Sequence, residues 1–212
     1  MNSRRSKIYI VVLSFLLCGI FTLFGCDTGR GESYLGFREE EISARVSGSM
    51  AIIADDGYLP SDALKGICRG VGSDGYSIDF SATVAISSHV ASDNSESAPL
   101  TRVEFTSPNT LKGLSAARDD KGVYLDLNGV RMDAVGDEYA PLLAIAEAFL
   151  TGDSIISVNP RADGKTEVYV GDSKTDSNKT ICIYTFSEDS RLPSKIDVNT
   201  DSLRISFAVK EN

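Results

Sequence analysis

Apolar and polar residues alternate along several stretches of this 212-residue chain. In residues 77–86 every second residue, from Ile78 to Ile86, is apolar. The same alternation occurs in residues 101–106, 123–127 and 203–209. Because successive side chains of a β-strand point to opposite faces, this period predicts strands that bury one face. The chain is therefore expected to fold mainly as an antiparallel sheet.

Turn residues separate these runs. Asn128-Gly129 follows the run 123–127, and this pair favours the positive φ angles of a two-residue hairpin. Residues 112–134 are thus predicted to form a three-stranded antiparallel meander. Further strands are predicted at 154–159, 165–171, 179–187, 194–199 and 203–210.

One helix is predicted between the strands, at 137–151. Its apolar residues recur at steps of three and four and form a single stripe: Tyr139, Leu142, Leu143, Ala146, Phe149 and Leu150. Asp137 is a suitable N-cap, Pro141 is compatible with the first turn, and Gly152 is a natural stop. Weaker helices are predicted at 37–45 and 61–68.

Ten or so antiparallel strands and few helices indicate the α+β class. The apolar stripe of a helix has to be buried, and the apolar face of the sheet is the large partner that the chain offers. One curved antiparallel sheet with helices on its concave face is the simplest arrangement that buries both the helix stripe and the apolar face of the sheet.

The N-terminus has the order of an export signal. Arg4, Arg5 and Lys7 precede an uncharged, mostly apolar run at residues 8–24. A positive flank, an apolar run and a small residue are typical of a secretory signal peptide. The run is near the lower limit of a membrane span of about 20 residues, so an uncleaved helical anchor is the alternative.

The residues Leu23-Phe24-Gly25-Cys26 resemble the lipobox of bacterial lipoproteins. The resemblance implies that the Cys26 sulfur receives a diacylglyceryl group (fatty acyl chains such as palmitate) and that cleavage precedes Cys26. Two or more acyl chains anchor a protein stably to a bilayer. The expected organisation is a signal peptide at 1–25, a lipidated N-terminus and flexible tether at 26–36, and a globular domain at 37–212.

Two further cysteines, Cys68 and Cys182, belong to the exported part of the chain. An oxidising compartment allows a disulfide between them. The alternative is two buried free thiols, since free cysteine is commonly buried.

Charge and motif content exclude several functions. Without residues 1–25 the chain has 18 basic and 30 acidic residues, so nucleic acid is not an expected partner. No cysteine or histidine spacing indicates a metal site, and no GxSxG motif accompanies the single histidine, His89. No cofactor and no enzymatic activity are expected.

The order of these features is similar to that of a known superfamily. The stretch PLTRVEFTSPNTLKGL (99–114) is followed by YLDLNG (124–129), the apolar helix, and the final pair LPSKIDV and SLRISFAVK. Over residues 40–210 this resembles the LolA/LolB-like superfamily of half-barrels, and small lipoproteins of Gram-positive bacteria. The resemblance implies a strongly curved sheet of about 10–11 strands, whose concave side encloses an apolar cavity for lipid acyl chains.

The expected function is that of a non-enzymatic lipoprotein on the extracytoplasmic face of the cell membrane, which binds a lipid or another apolar ligand. The candidate cavity lining is Val103, Phe105, Leu125, Leu127, Met132, Leu142, Ala146, Phe149, Ile205 and Phe207. These residues could equally form an ordinary core. The alternative function is a protein-interaction module of the cell envelope with a solid core.

Overall fold

A computed structural model describes residues 34–53, 69–70, 75–87, 100–119, 122–133, 139–172, 181–188 and 190–212. Within them the chain forms a 3-10 helix (Gly36–Glu39), one α-helix and twelve strands. The elements are β1 Ile42–Ile53, β2 Arg69–Gly70, β3 Gly75–Ser87, β4 Leu100–Ser107, β5 Leu114–Asp119, β6 Gly122–Leu127, β7 Val130–Asp133, α1 Ala140–Glu147, β8 Ser154–Pro160, β9 Thr166–Gly171, β10 Cys182–Phe186, β11 Lys195–Asn199 and β12 Leu203–Glu211. Outside the described residues lie the predicted signal peptide, the predicted helix at 61–68, Cys26, Cys68, His89 and Asp137.

All described strands belong to one antiparallel sheet. Eleven of them follow the order β7-β6-β5-β4-β3-β1-β12-β11-β10-β9-β8, and β2 pairs with β3 beside this path. The sheet does not close, because β7 and β8 end the path at opposite edges. Strand β1 lies at its centre, paired with β3 and with β12.

The sheet curves around α1. Tyr184 in β10 donates a hydrogen bond of 2.7 Å to the carbonyl of Ala148, directly after the helix. Arg118 in β5 forms an ion pair with Glu147, the last residue of the helix. Strands β5 and β10 are six strand spacings apart, which would be about 29 Å in a flat sheet. Since a helix with its side chains is only about 10–12 Å across, both contacts require a curved sheet. We call the face that carries α1 the inner face, and the opposite one the outer face.

Strand β1 shows how the sequence divides the two faces. Ile42, Ala44 and Val46 are buried on the inner face, while their neighbours along the strand are exposed. At Gly48 a Cβ atom would collide with the backbone of Ser206 and Phe207 in β12. A glycine at this point therefore lets two central strands approach closely while the Phe207 side chain lies over the core.

Most strands lie where the alternation predicts them, including the meander β5–β6–β7 and the later strands β8 to β12. In the hairpin between β6 and β7, Asn128 has φ of 52° and Gly129 has φ of 87°. Both positive angles confirm the predicted two-residue turn. The eleven-strand path agrees with the expected strand number.

The helix predicted at 37–45 is wrong. After the short 3-10 helix the chain enters β1, a strand that the sequence analysis did not identify. Strand β1 pairs with β12, which is the most distant strand in the sequence. The glutamates of this stretch favour a helix locally, but pairing on both sides with β3 and β12 buries every second side chain of β1 and outweighs that preference.

The predicted helical cover of the concave face is observed in part, because α1 is the one helix seen to cover the sheet among the elements that the structure describes. This helix begins at Ala140 and has Tyr139 at its N-cap position without a side-chain cap, so the predicted Asp137 cap is wrong. Its apolar surface is wider than a stripe, since Ile145 and Ala148 are buried as well. The curved sheet surrounds the helix and so buries more than one of its sides.

Candidate functional site

Eight of the ten candidate cavity residues lie together in the core between the sheet and α1. Each of them has at most 3% of its surface exposed: Val103, Phe105, Leu125, Leu142, Ala146, Phe149, Ile205 and Phe207. The Phe149 ring of the helix packs at 5.8 Å, between centroids, on the Phe207 ring of β12. All eight belong to the hydrophobic core of the described residues.

The other two candidates are not enclosed. Leu127 is 44% exposed and Met132 is 41% exposed, and the neighbouring Val130 is 66% exposed. In the β6–β7 pairing Leu125 lies opposite Met132, and Leu127 lies opposite Val130. Directly paired residues share a face, so all four lie on the inner face. We call Leu127, Val130 and Met132 the apolar strip.

The apolar strip continues the core face of the sheet beyond its helical cover. Leu125, two residues before Leu127, is 3% exposed and belongs to the core. The contacts of α1 with this end of the sheet are concentrated on β3, β4 and β5. The alternation in the sequence identified the correct face for Leu127 and Met132, but it carries no information about which part of that face a helix covers.

The outer face of the same hairpin is polar. The Arg131 guanidinium lies 3.7 Å from the centroid of the Tyr124 ring, and it forms a 3.1 Å ion pair with Asp119. The hairpin is thus apolar on one side and polar on the other. Because β7 ends the described path of strands, the hairpin also presents one edge of the sheet.

A second cluster, missed by the sequence analysis, lies at the C-terminal end of α1. The Arg38 guanidinium donates hydrogen bonds to the carbonyls of Phe149, Thr151 and Gly152 at 3.1, 2.7 and 2.6 Å. It also donates to the Tyr184 hydroxyl at 2.7 Å. Carbonyl groups at a helix C-terminus attract cations, so Arg38 stabilises this end of α1. We call this set the Arg38 cluster.

Burial keeps two side chains beside Arg38, those of Tyr184 and Cys182, in their protonated forms. Desolvation raises the pKa of the Tyr184 hydroxyl well above its usual value, and the buried Cys182 thiol contributes. Desolvation likewise raises the pKa of the Cys182 thiol to about 12. Both groups are therefore protonated at neutral pH, and Cys182 is a poor nucleophile.

Cys182 is a buried free cysteine in this structure. Its proposed partner Cys68 lies outside the described residues, so the disulfide stays a prediction.

The described residues offer neither a candidate metal site nor a membrane-spanning helix. They contain no group of three or more His, Cys, Asp or Glu side chains that could hold a metal ion. In the same part of the chain, no helix has the length and apolar character needed to cross a membrane.

No protein-family model matches the chain, and no curated protein matches it. Solved structures do. An uncharacterized conserved protein from Thermus thermophilus is 12% identical, with a TM-score of 0.39, and the alignment covers 85% of this chain and 84% of that one. The Mycobacterium tuberculosis lipoprotein LppX is 11% identical, with a TM-score of 0.36 and coverage of 84% and 90%.

A LolA superfamily protein from Nitrosomonas europaea also aligns, at 11% identity and a TM-score of 0.34, over 85% of this chain and 91% of that one. A lipoprotein and a LolA superfamily protein are thus among the structures that this chain is similar to.

Proposed function

We propose that this protein is a non-enzymatic lipoprotein, anchored through Cys26 to the extracytoplasmic face of the cell membrane, which binds a lipid or another apolar ligand on the inner face of its half-barrel. The observation that carries the ligand proposal is the apolar strip. Leu127, Val130 and Met132 extend the apolar inner face past the helix and remain exposed.

The anchor places the domain close to the bilayer. Tyr34, the first described residue, lies eight positions after Cys26 in the sequence. An extended chain spans at most about 3.6 Å per residue, so Tyr34 would lie within about 29 Å of the lipidated cysteine. From Tyr34 the chain leads directly into the 3-10 helix and the Arg38 cluster.

The ligand would cover the apolar strip and so shield its three exposed side chains from water. An acyl chain suits such a surface, because each methylene group that leaves water contributes about 0.8 kcal/mol without any directional contact. The outer side of the hairpin, with Arg131 and Asp119, would stay in water.

A photoactivatable fatty acid tests the site in the full chain, solubilised in a neutral detergent. We expect the probe to cross-link within residues 114–133, as mapped by mass spectrometry of tryptic peptides. The double variant Leu127→Asn with Met132→Asn should reduce the yield about tenfold. Ile183→Asn is the matched control, since Ile183 is a half-buried side chain on the outer face of β10. Equal labelling of the double variant and the parent would contradict the ligand site.

The anchor has a separate test. Mass spectrometry of the protein from its native membrane should find Cys26 at the N-terminus with a diacylglyceryl group. An unmodified Cys26 or an intact Met1 would contradict the lipoprotein proposal while leaving the ligand site untouched.

The second candidate is a protein-interaction module. The eight buried core residues and the position of β7 at the edge of the described sheet favour it, because a sheet edge beside an exposed apolar strip can pair with a strand of another protein. A photo-cross-linking residue in place of Val130, activated in whole cells, separates the two candidates. Adducts with the mass of a lipid support ligand binding, and an adduct with one defined protein supports the module.

A further inference from the structure

A groove crosses the centre of the outer face, opposite the helix. It has a volume of about 410 Å³ and is lined by residues of β1, β3, β4 and β12. Six of the lining residues have polar side chains: Arg45, Ser47, Ser81, Thr83, Thr106 and Lys210. None of the lining residues is acidic, although the chain has 30 acidic and 21 basic residues.

The polar side chains form ordered rows across three strands. In one row Arg45 of β1 lies between Lys210 of β12 and Thr83 of β3. Two residues along β1, Ser47 lies between Ala208 and Ser81 in the next row on the same face. The first row therefore carries the two basic side chains of the groove. The second row, beside it, carries only short side chains.

The Arg45 and Lys210 pair is unfavourable in the absence of an anion. Like charges directly opposite each other in an antiparallel pair destabilise a sheet. The Arg45 guanidinium donates to the neutral side-chain oxygen of Asn212 at 2.8 Å, and neither cation has a salt bridge to an acidic side chain of the described residues. By contrast, Lys195 in the adjacent strand β11 forms a 2.8 Å ion pair with Asp197.

The hydroxyl groups add neutral donors next to the two cations. A register shift between Ser81 and Ala82 disturbs the pairing of β3 with β4, and the Thr106 hydroxyl donates to the carbonyl of Ser81 at 3.0 Å. The hydroxyls of Ser47, Ser81 and Thr83 face the groove from neighbouring positions. Two cations with adjacent hydroxyls match the acceptor oxygens of a tetrahedral oxyanion.

We propose that this groove binds a phosphate group, with Arg45 and Lys210 as the charged donors and Ser47, Ser81 and Thr83 as hydroxyl donors. The group could belong to a free phosphate or to the headgroup of an anionic phospholipid. The site is independent of the apolar ligand proposed above, because the two lie on opposite faces of the sheet.

The reactivity of the Lys210 amine reports occupancy in the full chain. An amine-acylating reagent is applied, and the acylation of each lysine is measured by mass spectrometry, with Lys195 as the internal reference. The first arm adds inorganic phosphate to protein in neutral detergent, with sodium chloride at equal ionic strength as its control. The second arm places the protein in vesicles of phosphatidylglycerol, with phosphatidylcholine vesicles as its control.

We expect acylation of Lys210, relative to Lys195, to slow by about threefold or more in at least one arm, because a charge-assisted hydrogen bond occupies the amine. Arg45→Gln should abolish this protection. Arg204→Gln, which removes an exposed cation from the same strand as Lys210 outside the groove, should retain it.

Protection by inorganic phosphate identifies a soluble anion, and protection in phosphatidylglycerol vesicles alone identifies a lipid headgroup. Three results would overturn the site: no protection of Lys210 in either arm, equal protection of Lys195 and Lys210, or protection that persists in Arg45→Gln. Circular dichroism of each variant confirms that the sheet is intact, and neither substituted arginine is part of the core.

Discussion

The guanidinium of Arg38 donates a hydrogen bond of 2.7 Å to the hydroxyl of Tyr184, which lies 146 residues further along the chain. That hydroxyl donates in turn to the carbonyl of Ala148 at 2.7 Å. The segment that follows the proposed anchor is thereby joined both to the end of α1 and to strand β10.

Removing the Arg38 guanidinium should destabilise the protein strongly. In Arg38→Met, three carbonyls and the Tyr184 hydroxyl lose their donor. Hydrogen bonds to charged groups contribute about 1.5–3 kcal/mol each in favourable cases, and the set is partly exposed, so we expect a total loss of about 2–4 kcal/mol. Urea denaturation measures it.

Arg204→Met is the matched control for Arg38→Met, because Arg204 is an exposed arginine on the outer face. It should change the free energy of unfolding by less than about 0.5 kcal/mol. Equal effects of the two substitutions would show that the Arg38 cluster does not stabilise the helix.

Tyr184→Phe removes one hydroxyl from the core and keeps the ring. The Ala148 carbonyl then loses its 2.7 Å donor and Arg38 loses one acceptor. A buried group left without its partner costs about 1–3 kcal/mol, and the free energy of unfolding should fall by that amount. Tyr169→Phe serves as the control, since the Tyr169 hydroxyl bonds to Glu167 on the sheet surface. A neutral effect of Tyr184→Phe would refute the role of the hydroxyl.

The raised pKa of the buried Cys182 thiol predicts that the protein loses stability at alkaline pH. Burial raises the pKa of its thiol from 9.0 to about 12, so the folded protein retains a proton that the unfolded chain loses. This contribution is fully present below pH 9.0 and declines as pH rises toward about 12, at up to about 1.4 kcal/mol per pH unit. Denaturation of the parent and of Cys182→Ala, at about pH 8 and about pH 9.5, isolates it.

The difference in free energy of unfolding between the parent and Cys182→Ala should shrink over that interval. A constant difference would mean that the thiol titrates normally in the folded protein. In the native state the Cys182 thiol should also resist alkylation at neutral pH, because it is both buried and protonated.

Gly48→Ala should be among the most damaging substitutions of its size. The added Cβ would collide with the backbone of Ser206 and Phe207 in the centre of the sheet, and we expect a loss of about 2 kcal/mol or more from strain of this kind. Gly36→Ala is the control, because nothing lies within 4 Å of a Cβ at Gly36. Similar melting temperatures for both variants would contradict the close approach of β1 and β12.

The alternation of apolar residues was sufficient to locate β3, β4, β6 and β12, and Asn128-Gly129 was sufficient to locate a hairpin. These are local properties, since a strand with one buried face and a turn with positive φ each require particular residues at fixed spacing. The same local information identified the inner face for Leu125, Leu127 and Met132.

The tertiary structure alone decided the rest. Strand β1 forms because β3 and β12, about 35 and 160 residues away in sequence, pair with its two edges. Local strand propensity does not depend on such distant partners and so cannot predict β1. The exposure of Leu127 and the burial of Ile145 likewise depend on where α1 lies on the curved sheet. In the sequence alone, nothing distinguishes Arg38, Arg45 and Lys210 from ordinary surface charges. Arg38 meets its hydrogen-bond partner Tyr184, and Arg45 comes to lie opposite Lys210, only when distant parts of the chain come together.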